Sequence, residues 1–336
     1  MVPRIEGYRD LVEIGRGGTG TVYSATQTSL ERKVALKVFG RALTASDAAV
    51  RFEQECRALG TLNDLEGVVA VHGTALTTDG RPVLVMRLMA ASLAQRLREG
   101  GPLSREELSA VARSVARALA GAHSRGVVHF DVKPENILVS GRGEIELGDF
   151  DISTPARTVR GSLMPLSPAH AAPERFDPVP RSPDARADVW SFGSTLFTLA
   201  TGQTPFGSAR DAGGLDALID RVCHDPIGPL RRSDLSSLEQ VIRTCLEKDP
   251  LRRYRDGAAV LAALEGGDER VEGSEGDSSG PRLLALEEDP KRSWTRLAPG
   301  ELDRRTRGDT RIEWQVWAIA AGMILVIAVV LVILAS

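Results

Sequence analysis

The sequence predicts an α+β protein of two unequal lobes, a small β-rich one followed by a larger helical one, plus one transmembrane helix. Three observations lead there. Residues 8–89 hold short β-branched runs punctuated by glycine clusters, the pattern of hairpins. From Ser104 onward the apolar spacing changes to the 3.6-residue period of helices. Residues 316–335 form an uncharged apolar run of 20 residues.

In chain order, strands are expected at 11–14, 21–25, 34–39, 68–71 and 83–89, with a helix over 48–62 between the third and the fourth. The next helix is marked most clearly. Leu108, Val111, Ala112, Val115, Leu119 and Ala122 share one face, and Ser104 with Glu107 makes a capping box ahead of them. Further helices are expected over 187–200 and 235–246, the latter ended by Asp249-Pro250. Beyond about residue 265 the stretch GGDERVEGSEGDSSG holds too few apolar residues to pack and reads as an acidic tether. Residues 290–313 then turn basic, with Lys291, Arg292, Arg296, Arg304, Arg305, Arg307 and Arg311. Trp314 and Trp317 open the apolar run as interfacial aromatics do. At ~1.5 Å per residue such a run covers ~30 Å as a helix, the thickness of a bilayer's hydrocarbon core. Three segments result: a folded unit over 8–265, a flexible acidic-then-basic juxtamembrane linker over 266–314 and a transmembrane helix over 315–335.

The composition narrows the class. With 42% hydrophobic and 26% charged residues and a net charge of −3 in 336 residues, collagen-like, disulfide-dense and wholly disordered chains are excluded. The charge balance gives no reason to expect nucleic acid as a partner. Cys56, Cys223 and Cys245 are widely spaced, which suggests neither a disulfide framework nor a zinc site and fits a reducing cytosol. The N-terminus lacks the basic and then apolar regions of a secretory signal. Only five of the 42 basic residues are lysine, at 33, 37, 133, 248 and 291, a bias typical of a GC-rich, bacterial genome.

Three constellations carry chemistry. Gly15-Arg16-Gly17-Gly18-Thr19-Gly20-Thr21-Val22 is a GxGxxGxV between two strands, where absent side chains let backbone N–H groups close over a phosphate; a plain hairpin turn would look the same. In Val34-Ala35-Leu36-Lys37 a lysine lies inside an apolar strand, either facing solvent at an edge or facing inward onto a partner such as Glu55. The third is the most specific: His129-Phe130-Asp131-Val132-Lys133-Pro134-Glu135-Asn136, followed after a turn by Asp149-Phe150-Asp151.

With these three in this order the sequence resembles the eukaryotic-type (Hanks-type) serine/threonine protein kinase family over roughly residues 8–265. HFDVKPEN corresponds to the family's H-R-D-x-x-x-x-N loop, DFD to its DFG and VALK to its V-A-I-K. Ala172-Pro173-Glu174 looks like its APE motif, 188–193 like the helix that follows, and 249–253 like its DPxxR. The resemblance implies a two-lobed protein kinase-like fold, ATP as phosphoryl donor with Mg²⁺ or Mn²⁺, and Ser/Thr hydroxyls of proteins, its own included, as acceptors. Asp131 and Lys133 are then the catalytic pair. Asn136 and Asp149 are the metal ligands. Gly15, Gly17, Gly20 and Val22 cover the nucleotide, Lys37 with Glu55 holds its α/β-phosphates, and the gatekeeper Met86 with the hinge through Met89 meets the adenine. Glu174 is expected to pair with Arg253, and Asp188 to hold the backbone of the catalytic loop.

The chain also departs from the family. Phe130 stands where an arginine usually binds a phosphorylated activation loop, although Ser153, Thr154, Thr158, Ser162 and Ser167 are available as acceptors. Asp151 replaces the DFG glycine, His170 a common tyrosine, and Arg87 a frequent hinge acid. The 161–172 segment reads as longer than usual. Two functions follow: an active kinase, or a pseudokinase that senses nucleotide as a scaffold. By the positive-inside rule the basic flank places the catalytic unit in the cytoplasm, tail-anchored to the cell membrane by a single pass through the lipid bilayer at 315–335.

Overall fold

Five antiparallel strands build the first lobe: β1 (Tyr8–Gly17), β2 (Gly20–Gln27), β3 (Arg32–Phe39), β4 (Val71–Leu76) and β5 (Pro82–Arg87), in the order β1-β2-β3-β5-β4. The computed structural model describes residues 2–17, 20–40, 56, 59–150, 167–177 and 184–268. The central strand β3 explains the sheet. Val34, Leu36 and Val38 alternate onto one face, where they form a closed apolar core with Ile5, Tyr23, Ala25, Val83 and Val85. Ala35 and Lys37 therefore point to the other face. Pairing carries this alternation sideways: Lys37 lies opposite Val22 and Leu84, and Ala35 opposite Met86, so all five belong to the face turned away from that core.

The second lobe begins at the short strand β6 (Ala91–Ser92), which pairs with β7 (Ile137–Val139), itself paired with β8 (Ile145–Leu147). Between them lie α1 (Leu93–Gly100) and α2 (Arg105–Ser124). The capping box opens α2 as expected, with Ser104 accepting from the Glu107 N–H and Glu107 accepting from the Ser104 N–H. The helix α3 (Ala185–Thr201) is buried from Ala187 to Ala200 on every side, which is what an apolar sequence without a polar face demands. Its hydroxyls bond to carbonyls: Ser191 to Ala187 and Thr198 to Ser194 within the helix, and Thr195 to Val132 across to the loop before β7. After α3 come α4 (Ala209–Ala212) and α5 (Leu215–His224), which pack on each other, and α6 (Ser236–Cys245) and α7 (Gly257–Asp268), which pack against α3. The start of α7 abuts α2 so closely that a Cβ on Gly257 would lie 2.4 Å from the Ala120 nitrogen.

Some expectations change. The strand expected at 68–71 divides: Val68 makes an isolated bridge to Leu147, and β4 starts only at Val71. Of the helix expected over 48–62, Cys56, Leu59 and Gly60 are helical and most of the remainder lies outside the described residues. The last helix continues to Asp268, past the residue 265 boundary. None of the three cysteines is joined in a disulfide. The linker beyond 268 and the apolar run 315–335 lie outside the described residues. Among the described residues no helix is long and apolar enough to cross a membrane.

Candidate active site

The loop between α2 and β7 is held from beneath by one carboxylate. Asp188, fully buried in the first turn of α3, accepts from the backbone N–H of His129 at 2.6 Å and of Phe130 at 2.7 Å. A third donor is His123 Nε2 at 2.9 Å, whose Nδ1 accepts the Gly257 N–H at 3.0 Å. That pattern needs only the neutral Nε2–H imidazole. Three donors on one buried carboxylate compensate its charge and fix the loop backbone. The expected bond between Asp188 and the loop is therefore present.

The loop then turns its polar side chains to one point. His129 is fully buried, places Nε2 2.9 Å from the Gly148 carbonyl and accepts the Asp131 N–H on Nδ1 at 3.2 Å. Lys133 Nζ donates to Asp131 Oδ2 at 2.7 Å and to Ser167 Oγ at 2.6 Å. Asn136 donates its amide to the Asp131 carbonyl at 2.8 Å and to Oδ2 at 3.2 Å. Spending the NH₂ in that direction turns the Asn136 carbonyl oxygen the other way. Burial pushes the Asp131 carboxyl up, but the Lys133 ammonium and hydrogen bonds from Lys133 and Ser167 outweigh it and hold the group below its ordinary range. Asp131 is thus ionised at neutral pH.

Lys37, buried on the cleft face of β3, ion-pairs with Asp149, two residues past β8. The inward of the two orientations open to Lys37 is the one adopted. Asp149 has φ 58° and Phe130 φ 62°, the left-handed region, where side chains other than glycine are strained. Phe150 is buried against His129, ring centroids 4.4 Å apart, which sends Asp149 toward the cleft. Gly15 pairs with Val22 and Gly17 with Gly20 across the β1–β2 hairpin. Gly20 has no room for a side chain, since a Cβ would meet the Val38 carbonyl oxygen at 2.3 Å. Met86 shares the cleft face with Lys37, and Met89 is buried just beyond β5. Glu55 and Asp151 lie outside the described residues.

Three features were not foreseen. Ser167 appears in the sequence only as one more hydroxyl, yet it stands on the Lys133 ammonium; the sequence carries no local signal for a contact that depends on how the intervening segment folds. Arg87 forks onto Glu144, at 2.7 Å, and Glu146, tying the end of β5 to the β7–β8 hairpin. Burial, with Glu144 nearby, raises the Glu146 carboxyl despite Arg87. His170 places Nδ1 2.9 Å from Ser194 Oγ on α3, and burial together with the Lys133 charge lowers its pKa to about 4. It is neutral at physiological pH.

The expected Glu174–Arg253 pair is present and complete. Arg253 donates to both Glu174 oxygens at 2.7 and 2.8 Å and to the carbonyls of Glu247, Arg186 and Lys248, so all five N–H groups are used.

A family model described as "Protein kinase domain" matches residues 8–261. The chain is 37% identical over 259 residues to the serine/threonine-protein kinase PknK of Mycobacterium tuberculosis, covering 76% of this chain and 23% of that protein. It is 35% identical over 270 residues to PknL of the same species, covering 75% of this chain and 63% of PknL. It is 33% identical over 306 residues to PknJ of Mycobacterium bovis, covering 86% of this chain and 50% of PknJ. In each case the match covers less than two thirds of the relative's own length. A family match over most of the chain, carried by a two-lobed fold with this loop geometry, leaves one conclusion: the chain belongs to the protein kinase domain family, in its bacterial Hanks-type branch.

Proposed function

We propose that the chain is a serine/threonine protein kinase that transfers the γ-phosphate of ATP to protein hydroxyls. The observation that carries this is the ionised Asp131, bonded to Lys133 and Asn136. The same site includes the Lys37–Asp149 pair. In this reading Asp131 accepts the hydrogen bond of the attacking hydroxyl and takes its proton. Lys133 lies beside the oxygen so formed and neutralises charge that grows on the transferred group. Lys37 holds the α/β-phosphates, in partnership with Glu55. The glycines at 15, 17 and 20 leave backbone N–H groups of the β1–β2 hairpin free of side-chain cover, while Val22, Met86 and Met89 supply apolar walls for the base. Phosphoryl transfer asks mainly for positioning and charge neutralisation, so these groups suffice.

The donor set fits Mg²⁺, or Mn²⁺ in its place: the half-buried carboxylate of Asp149 and the amide oxygen of Asn136 turned away from Asp131 are hard oxygen ligands, and such ions take the rest of their shell from phosphate and water. When bound, the ion would supply neutralisation of phosphate charge.

The acceptor class rests on Lys133 in the DVKPEN loop and on relatives named as serine/threonine-protein kinases. We further place the kinase at the cytoplasmic face of the cell membrane, held there by 315–335. This rests on the length and apolarity of that run and on the basic residues preceding it.

The test is phosphate transfer from labelled ATP by the full chain to itself or to a generic protein. Asp131→Asn should lower the rate about 10²- to 10⁴-fold while nucleotide still binds, the range for loss of a general base. Lys37→Met should abolish transfer. A wild-type chain that binds ATP yet transfers no more than Asp131→Asn would be a pseudokinase instead.

A further inference from the structure

We propose that Arg175 is a positioning residue whose stack on the Phe130 ring clamps the catalytic loop, and that it sets the placement of Asp131 from the segment 167–177. The proposal rests on the reading of Asp131 given above.

The Arg175 guanidinium carbon lies 4.5 Å from the centroid of the Phe130 ring, within reach of the ring's negative face. Phe130 needs holding, because its φ of 62° is one that a bulky L-residue keeps only when its surroundings enforce it. Two contacts do so from opposite ends. Asp188 takes the backbone N–H at 2.7 Å, and Arg175 covers the ring. The next residue in the chain is Asp131.

The clamp has a rigid base. Arg175 sits in a short 3₁₀ helix, Pro173–Phe176, and its N–H bonds to the Ala172 carbonyl at 2.9 Å. Its neighbour Glu174 is fixed in both oxygens by the fully buried Arg253 side chain. The segment thus meets the catalytic loop at two points, Ser167 on Lys133 and Arg175 on Phe130, and Asp131 lies in the stretch between those two loop positions. An arginine at 130 would face Arg175 as a like charge, so the aromatic residue and the cation are complementary choices.

Steady-state kinetics of the full chain with ATP and casein tests this, with Asp131→Asn as the inactive control. Arg175→Met keeps the bulk and removes the charge, and should lower kcat about tenfold with KM for ATP unchanged. Arg175→Lys and Phe130→Tyr keep a cation over a ring and should retain most of kcat. Phe130→Arg should fall below Phe130→Leu, and the swap F130R/R175F should recover activity relative to Phe130→Arg alone. The clamp is overturned if Arg175→Met and Phe130→Leu stay within twofold of wild type, if ATP affinity falls in step with kcat, or if the swap gives no recovery. A wild-type chain no better than Asp131→Asn overturns the reading of Asp131 and the clamp with it, whereas an active wild type with an indifferent Arg175→Met overturns the clamp alone.

Discussion

Asp131 is a carboxylate that burial pushes toward the neutral form and that Lys133 and Ser167 hold in the charged one. The Lys133 ammonium is the largest of the opposing influences, and the Ser167 hydroxyl adds a hydrogen bond that favours the ionised form. Removing that bond has a predictable sign. A donor to the charged form lowers a carboxyl's pKa, so Ser167→Ala should raise that of Asp131 and move the acid limb of the kcat/KM profile to higher pH. At pH 7 the group stays ionised in both proteins, and the rates should differ least there. A pH profile of the two proteins checks it, and an unmoved acid limb would separate Ser167 from the titration of Asp131. The same residues show what can be read from sequence at this scale. Asp131, Lys133 and Asn136 fall within one short stretch, so their proximity is almost built into the chain. Ser167 reaches Lys133 across 34 residues whose path no local pattern dictates. Lys37 is intermediate: its strand is plain in the sequence, but only pairing in register with Val22 and Leu84 decides that it faces the cleft.

Elements announce themselves in proportion to their length and periodicity. α2 offers 20 residues, one apolar face and a capping box, and its start matches the expectation. β7 and β8 have three residues each, too few for alternation to be distinguished from any apolar run. α7 reads GAAVLAALEGGD, small and apolar on most sides, so no polar face marks it, and its start is signalled by a single cap, Asp256, whose side chain accepts the Ala259 N–H at 2.8 Å. What the elements then need is a link, and Glu174–Arg253 supplies one, joining the 3₁₀ helix at 173–176 to the loop that follows α6. Arg253 exposes none of its side chain, so losing its carboxylate partner strands a buried charge. Glu174→Ala should therefore cost about 3–5 kcal/mol. For a domain of this size that is a fall in melting temperature of roughly 10 °C, read by thermal unfolding. Glu174→Gln, which still offers an acceptor, should lose less. Equal melting temperatures for Glu174→Ala and wild type would mean that the three carbonyls on Arg253 already compensate its charge.

At the scale of the molecule, two apolar cores lie on either side of the site: one behind the β1–β5 sheet, the other gathered around α3. The cleft face of the sheet and the loop above Asp188 lie between them, and there the titratable Lys37, Asp131, Lys133 and Asp149 collect beside the apolar Val22 and Met86. This two-lobe plan was legible because the change of period at Ser104 is abrupt. The tail is a separate physical problem, since nothing in its composition resembles either core. An acidic stretch and then a basic one precede 20 apolar residues opened by two tryptophans. Hydrocarbon rewards such a run and water does not. Each basic residue close to an anionic leaflet adds about 1 kcal/mol of attraction. Deleting 315–336 should accordingly move the chain from the membrane to the soluble fraction while leaving its specific activity toward a soluble protein intact. Replacing Arg304, Arg305, Arg307 and Arg311 by glutamine in the full chain should leave it in the membrane pellet after high salt, because the apolar run alone is long enough to span. Fractionation with and without carbonate extraction reads both. If the deleted chain stays at the membrane, the attachment belongs to another surface of the protein and the run at 315–335 does not anchor it.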